Sequence, residues 1–137
     1  MNRLDKWIRA RVSGVKYVVG EFAEVDFNTF KEETAKNGYM KISNVNTENT
    51  IFANSEIAVM SRVWHDLIHI LLDEDFSLKG EATVAFYQVA ELPEDWHEER
   101  ALLLTDIIGQ RLYYTKNKQF VGNQREFVDN LQLNGVI

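Results

Sequence analysis

His65 and His69 stand four residues apart, and in a helix that spacing puts both imidazoles on one face, one turn from each other. This is the spacing at which two side chains chelate one ion. At 100° per residue, Arg62, His65, Asp66 and His69 fall within an arc of about 100°, while the rest of the segment from Ile57 to Leu72 is nearly all apolar. Polar residues gathered on one stripe of an apolar helix call for a reason. Two neutral imidazoles supply only two ligands, so a metal site needs at least one carboxylate from another element. Glu81 is the candidate, because a tight turn after Leu72 would fold the next helix back beside the first, with Gly80 allowing close approach. Two His and one carboxylate suit Zn²⁺ first, with Fe²⁺ or Mn²⁺ as alternatives, and leave positions open to water or substrate.

Other residues have more than one reading. Asp66 is a fourth ligand, a general base, or an acceptor that orients an imidazole. Arg62 either contacts a substrate or simply pairs with Asp66 four residues on. Glu81 by itself is also what a helix N-terminus favours in its first turn. His97 is a candidate extra ligand or a packed histidine beside Trp96. Trp64, Phe86, Tyr87 and Trp96 either line a pocket for an aromatic substrate or belong to the core. Asp106, inside the apolar run Leu102 to Ile108, is either buried and paired or faces the site.

The elements that must position these groups are mostly helices. Periodicity and end signals predict helices over residues 2–11, over 27–36 behind an Asp26 N-cap and before Asn37-Gly38, and over 55–72 behind Asn54 or Ser55. Ser77 caps a helix to about Glu91 with Leu78, Ala82, Phe86 and Val89 on one face, and the only proline, Pro93, starts a helix to Tyr114. A last helix over residues 123–133 stops at Asn134-Gly135. Residues 16–19 and 39–42 read as extended, and 43–50 as a polar loop. The expected fold is mainly α: one helical bundle spanning residues 1–137, with at most a short strand or hairpin in the N-terminal half.

Composition narrows the chemistry. The absence of cysteine excludes disulfides, thiolate zinc sites and iron–sulfur clusters, so any metal uses nitrogen and oxygen ligands. A net charge of −6, from 15 basic and 21 acidic residues, argues against nucleic acid as a partner. The first dozen residues lack the apolar core of a signal peptide, and Arg62, His65, Asp66 and His69 interrupt the longest apolar stretch, so a cytoplasmic protein without a membrane span is expected.

His65-Asp66-Leu67-Ile68-His69, eleven intervening residues and Glu81 together resemble the H-D-x-x-H-x(11)-E signature of a ubiquinone-biosynthesis family, coenzyme Q biosynthesis protein 4. The similarity takes in Arg62, Leu71-Leu72, Gly80, Phe86 and Leu92-Pro93, so it runs from about Arg62 to Pro93. The resemblance implies a helical protein holding a divalent metal, zinc above all, through the positions of His65, Asp66, His69 and Glu81. It also implies a role in quinone-ring modification, either as an organiser with a lipid-binding cavity or as an oxidative decarboxylase.

The leading expectation is a metal-dependent enzyme acting on a small aromatic or quinone-like substrate, or holding a lipid-like ligand, with Asp66 handling a proton. A metal-stabilised scaffold or ligand binder that does no chemistry is the alternative. A variant zinc hydrolase ranks lower, since H-D-x-x-H shortens the general base of H-E-x-x-H by one methylene and no third His follows at the required spacing. An HD-type phosphohydrolase lacks its upstream His.

Overall fold

The computed structural model describes residues 2–134, so the Gly135 stop signal lies outside the described residues. Six helices and two short strands follow in the order α1 (Asn2–Arg11), β1 (Tyr17–Gly20), α2 (Phe27–Asn37), β2 (Met40–Ser43), α3 (Ser55–Leu72), α4 (Leu78–Glu91), α5 (His97–Asn117) and α6 (Gln124–Asn134). The protein is mainly helical, as expected.

The end signals act as their chemistry requires. Asp26 accepts a hydrogen bond from the Thr29 backbone at the start of α2, and Gly38, left-handed at φ 77°, closes it by donating its N–H to Thr34 O. Asn54 accepts from the Ile57 backbone at the start of α3, and the Ser77 hydroxyl accepts from the Gly80 N–H at the start of α4. The strands correct the hairpin expectation. They run parallel, Tyr17 opposite Met40 and Gly20 opposite Ser43, because α2 provides the crossover that a parallel pair demands and a two-residue turn cannot.

Helix α3 is central: α1, α4 and β2 all pack on it, while α5 packs on α4 and α6 on α5. Ile57, Ala58, Val63, Trp64 and Ile68 of α3 join Leu4 and Ile8 of α1, Ile42 of β2, Val84 and Val89 of α4 and Leu103 of α5 in one core. Leu71, near the end of α3, is 60% exposed. Trp64 is fully buried with its ring 4.8 Å from that of Trp7, and its Nε1–H donates to Glu91 Oε1 at 2.7 Å. Glu91 also accepts two hydrogen bonds from Arg11, which ties α1, α3 and α4 through one carboxylate.

Two further expectations are corrected. The buried face of α4 is Gly80, Val84, Ala85, Gln88 and Val89, with Leu78 and Phe86 exposed. Glu81, Val84, Ala85 and Gln88 share one helical stripe, and turning it toward α3 turns Phe86 away. Helix α5 begins at His97 and not at Pro93. Pro93 instead holds Leu92 extended, ending α4, and the Trp96 N–H then bonds to Pro93 O in a turn.

The α3–α4 turn sets the spacing of the two helices. Asp73 takes a left-handed conformation at φ 55°, its N–H reaching His69 O and Ile70 O, and Gly80 then packs directly on the Asp75 backbone. A Cβ on Gly80 would lie 2.0 Å from Asp75 O, a backbone atom that cannot swing aside. Gly80→Ala should therefore destabilise the protein by about 1–3 kcal/mol, as overpacking does, measured as a lower urea midpoint at unchanged slope. An unchanged midpoint would show that the turn yields freely.

Candidate metal centre

Helix α3 carries the two histidines and α4 the carboxylate, and the tight turn brings them together. His65 Nε2 lies 2.6 Å from Glu81 Oε2, His69 Nε2 lies 3.2 Å from the same oxygen, and the two Nε2 atoms are 3.1 Å apart. One ligand atom from each of the three residues thus lies within 4.8 Å of the others, and among the described residues this is the one such group of three or more His, Asp or Glu side chains. These three residues could hold a metal ion.

The far side of each ring fixes its tautomer. His65 Nδ1 is 2.5 Å from Gln88 Oε1, and His69 Nδ1 is 2.8 Å from the backbone oxygen of Glu74. Both partners are acceptors, so both Nδ1 atoms donate and both Nε2 lone pairs turn inward. Two nitrogen lone pairs and a carboxylate oxygen then face one another with no donor among them. Such a cluster needs a cation, either a proton on one ring or a metal ion. Zn²⁺ ligands at tetrahedral angles sit about 3.3 Å apart for bonds near 2.0–2.1 Å, so the observed separations need only slight widening.

Aromatic packing keeps water from the inner histidine. His69 is fully buried, with the Phe76 ring 4.9 Å away edge-on and the Phe27 ring at 6.2 Å. Burial opposes charge on His65, but the Glu81 carboxylate outweighs it and, helped by Asp66 and Gln88, pushes the imidazole up to about 9. Burial likewise works to raise Glu81, and the two imidazoles overcome it, holding this carboxyl well below the usual range.

The centre opens on a cavity of about 670 Å³ into which His65, Asp66, Glu81 and Gln88 face from α3 and α4. Asp106 and Gln110 face it from α5, and Phe30, Ile42, Phe52, Phe76, Leu103 and Ile107 supply apolar wall. Asp66 lines this cavity but stands outside the group of three, and makes no hydrogen bond to the protein among the described residues. Burial raises its carboxyl to about 6 against the pull of the nearby histidines and Arg62. Asp106 is also pushed up to about 6 by burial, opposed by the 2.5 Å hydrogen bond from Gln110 Nε2. Arg62 faces the cavity as well, donating to Ser43 O at 2.8 Å and thereby fastening the end of β2 to α3.

The remaining sequence candidates lie elsewhere. Trp64 is in the core on the far side of α3, bonded to Glu91, and Phe86 is 57% exposed on the outer face of α4. Neither lines the cavity, and nor do Tyr87 and Trp96. His97 is exposed at the first position of α5, outside the ligand group. Gln88 and the Glu74 carbonyl, which orient the rings, were not foreseen. Gln88 carried a signal all the same: it lies seven residues after Glu81, and between them that helical stripe holds only the apolar Val84 and Ala85.

The charge state of the centre has a measurable consequence. His65 is raised from 6.5 to about 9 on folding, so its contribution is fully present below about pH 6.5 and is lost as pH rises through 9. Glu81 is lowered, so its contribution is present above its ordinary value and is lost on acidification. Asp66 and Asp106, raised from 3.8 to about 6, cost stability as pH rises from 3.8 through 6, so they add little further change above pH 6.5. Metal-free protein should therefore lose on the order of 2 kcal/mol between pH 6.5 and 9 in urea unfolding, and Glu81→Gln should flatten that decline. With excess Zn²⁺ the trend should reverse, because the ion competes with the His65 proton.

No helix among the described residues is long and apolar enough to cross a membrane. No family model matches the chain, and no curated protein or solved structure was found to be similar to it.

Proposed function

We propose that the protein is a divalent-metal-dependent enzyme, with Zn²⁺ held by His65, His69 and Glu81, acting on a small aromatic or quinone-like molecule in the adjoining cavity. The observation that carries this reading is the convergence of three acceptor atoms, each ring turned inward by an acceptor behind it. A bound ion of this kind supplies Lewis-acid polarisation of a substrate oxygen or activation of water. The chain's own residues do the rest. Gln88 and the Glu74 carbonyl hold the imidazoles in the tautomer that presents Nε2, and Phe27 and Phe76 keep water off the inner ring.

Asp66 is the residue for proton handling. It faces the same cavity one position after a ligand, in a buried setting that disfavours its charged form and so suits a carboxyl that takes up a proton. A closed four-ligand shell, the arrangement of a purely structural metal, would need a ligand beyond the three, and Asp66 does not stand with them. This favours an open coordination position and hence the enzyme over the scaffold. The cavity volume of about 670 Å³ suits a small organic molecule, and its aromatic and aliphatic walls suit a ring. The H-D-x-x-H-x(11)-E pattern agrees with a role near quinone metabolism, and a cytoplasmic location goes with this reading.

Metal analysis of the untagged protein tests it. One equivalent of divalent metal is expected for wild type, with loss in His65→Ala, His69→Ala and Glu81→Ala while far-UV circular dichroism stays unchanged. Gln88→Leu should retain the ion but bind it about 10–100-fold more weakly. Asp66→Asn should keep full metal content, and an equal loss of metal there would make Asp66 a ligand instead of the base. A wild-type protein that takes up no divalent ion removes the proposal.

A further inference from the structure

Three cationic side chains other than His65 line the cavity: Lys41, Arg62 and Arg111. Two of them are engaged. Lys41 lies 3.8 Å from Glu33 and over the Phe22 ring, and Arg62 donates to Ser43 O and Asn46 O with Asp66 and Asp106 close enough to stabilise its charge. Arg111 has no hydrogen bond and no ion pair among the described residues, and its Nε is buried without a partner. A buried donor on a permanent cation is costly to leave unmade.

Its surroundings hold it ready. The guanidinium carbon sits 4.9 Å over the Tyr114 ring, and Tyr114 stacks in turn on Phe120 at 4.4 Å and 23°, Phe120 itself lining the cavity. A cation–π contact of this kind holds the guanidinium over the ring without using any of its N–H donors, which remain available to an acceptor. The acid that Arg111 influences, Glu24 on the segment between β1 and α2, forms no ion pair with it, although Arg111 opposes the rise that burial imposes on the Glu24 carboxyl.

We propose that Arg111 is an anion anchor: it receives the carboxylate of a small acid whose apolar body lies in the cavity, with the acid group at the Arg111 end and not on the metal centre. That the other end of the occupant reaches an ion at His65, His69 and Glu81 rests on the metal-site reading, whereas the anchor itself does not. The ligand class is thus narrowed from aromatic molecules in general to those carrying a negative charge at one end.

Benzoate and its neutral isostere benzamide are the probes, titrated by calorimetry into both chelator-stripped and zinc-loaded protein. Benzoate should bind at least about tenfold more tightly than benzamide in both forms, as a charge-assisted pair requires. Arg111→Gln and Arg111→Met should erase the preference, and Arg111→Lys should keep part of it. In wild-type protein the Arg111 Nε–H resonance should shift with benzoate and not with benzamide, a readout that does not depend on a variant folding. Equal binding of the two probes, binding of neither, or a preference that survives Arg111→Gln would overturn the anchor. So would a preference seen only with zinc, since that puts the carboxylate on the ion. Zinc content of the same samples judges the metal reading separately: protein that takes up no zinc yet prefers benzoate through Arg111 leaves the anchor standing.

Discussion

The hydrogen bond from His69 Nδ1 to the carbonyl of Glu74 joins the geometry of a turn to the chemistry of a side chain. The Glu74 N–H bonds back to His69 O, so one residue of the turn holds both the backbone and the ring of the same histidine. With that ring fixed, its Nε2 lone pair points at His65 and Glu81, and the three acceptors meet. The turn exists because Asp73 adopts a left-handed conformation and because Gly80 lets α4 start against the Asp75 backbone. Local backbone chemistry over eight residues thus decides whether a charged cluster can form at the α3–α4 contact.

The same cluster explains why α3 is buried unevenly. One side is ordinary core, with Val63, Trp64 and Ile68 fully excluded from water. The other carries Arg62, His65 and Asp66 into a cavity that α5 and the β2 end complete. Titratable groups on an interior face lose hydration there, and burial accordingly raises the carboxyls of Asp66 on α3 and of Asp106 facing it from α5. A fold under selection for stability alone would fill this space with aliphatic side chains. Asp66, Asp106 and Arg62 instead stand around an internal space, and the proposed function gives that departure a reason.

Much of this was legible in the sequence where a local rule governed. The i, i+4 histidines, the Asn54 and Ser77 caps and the Asp26 to Gly38 limits of α2 each depend on a few neighbouring residues, and each matches the structure. What was not legible depends on rotation and on distant contacts. The weak amphipathicity of α4 allowed Leu78 and Phe86 to be read as its inner face, when the need to aim Glu81 and Gln88 at α3 turns them outward. Trp64 is next to His65 in sequence, but on a helix adjacent residues point about 100° apart, and that rotation sends it into the core against Trp7. The parallel pairing of β1 and β2 depends on how α2 crosses between them, which no residue in either strand encodes.

Arg111 belongs to the same class of feature, since nothing about an arginine near the end of a long helix marks it out in sequence. Its significance comes from what its neighbours do: Tyr114 lies under its guanidinium, Asp106 is taken by Gln110, and Arg62 is engaged by the carbonyls of Ser43 and Asn46. On its other side α5 carries α6, which packs against Gly109 with the end of the Leu131 side chain. The bundle therefore builds its two chemical features by different means. A short turn gathers His65, His69 and Glu81 from residues near in sequence, while close packing of α5 against α4 and α6 places the cation that faces the same space. Because the two depend on separate contacts, the loss of one need not carry the other with it.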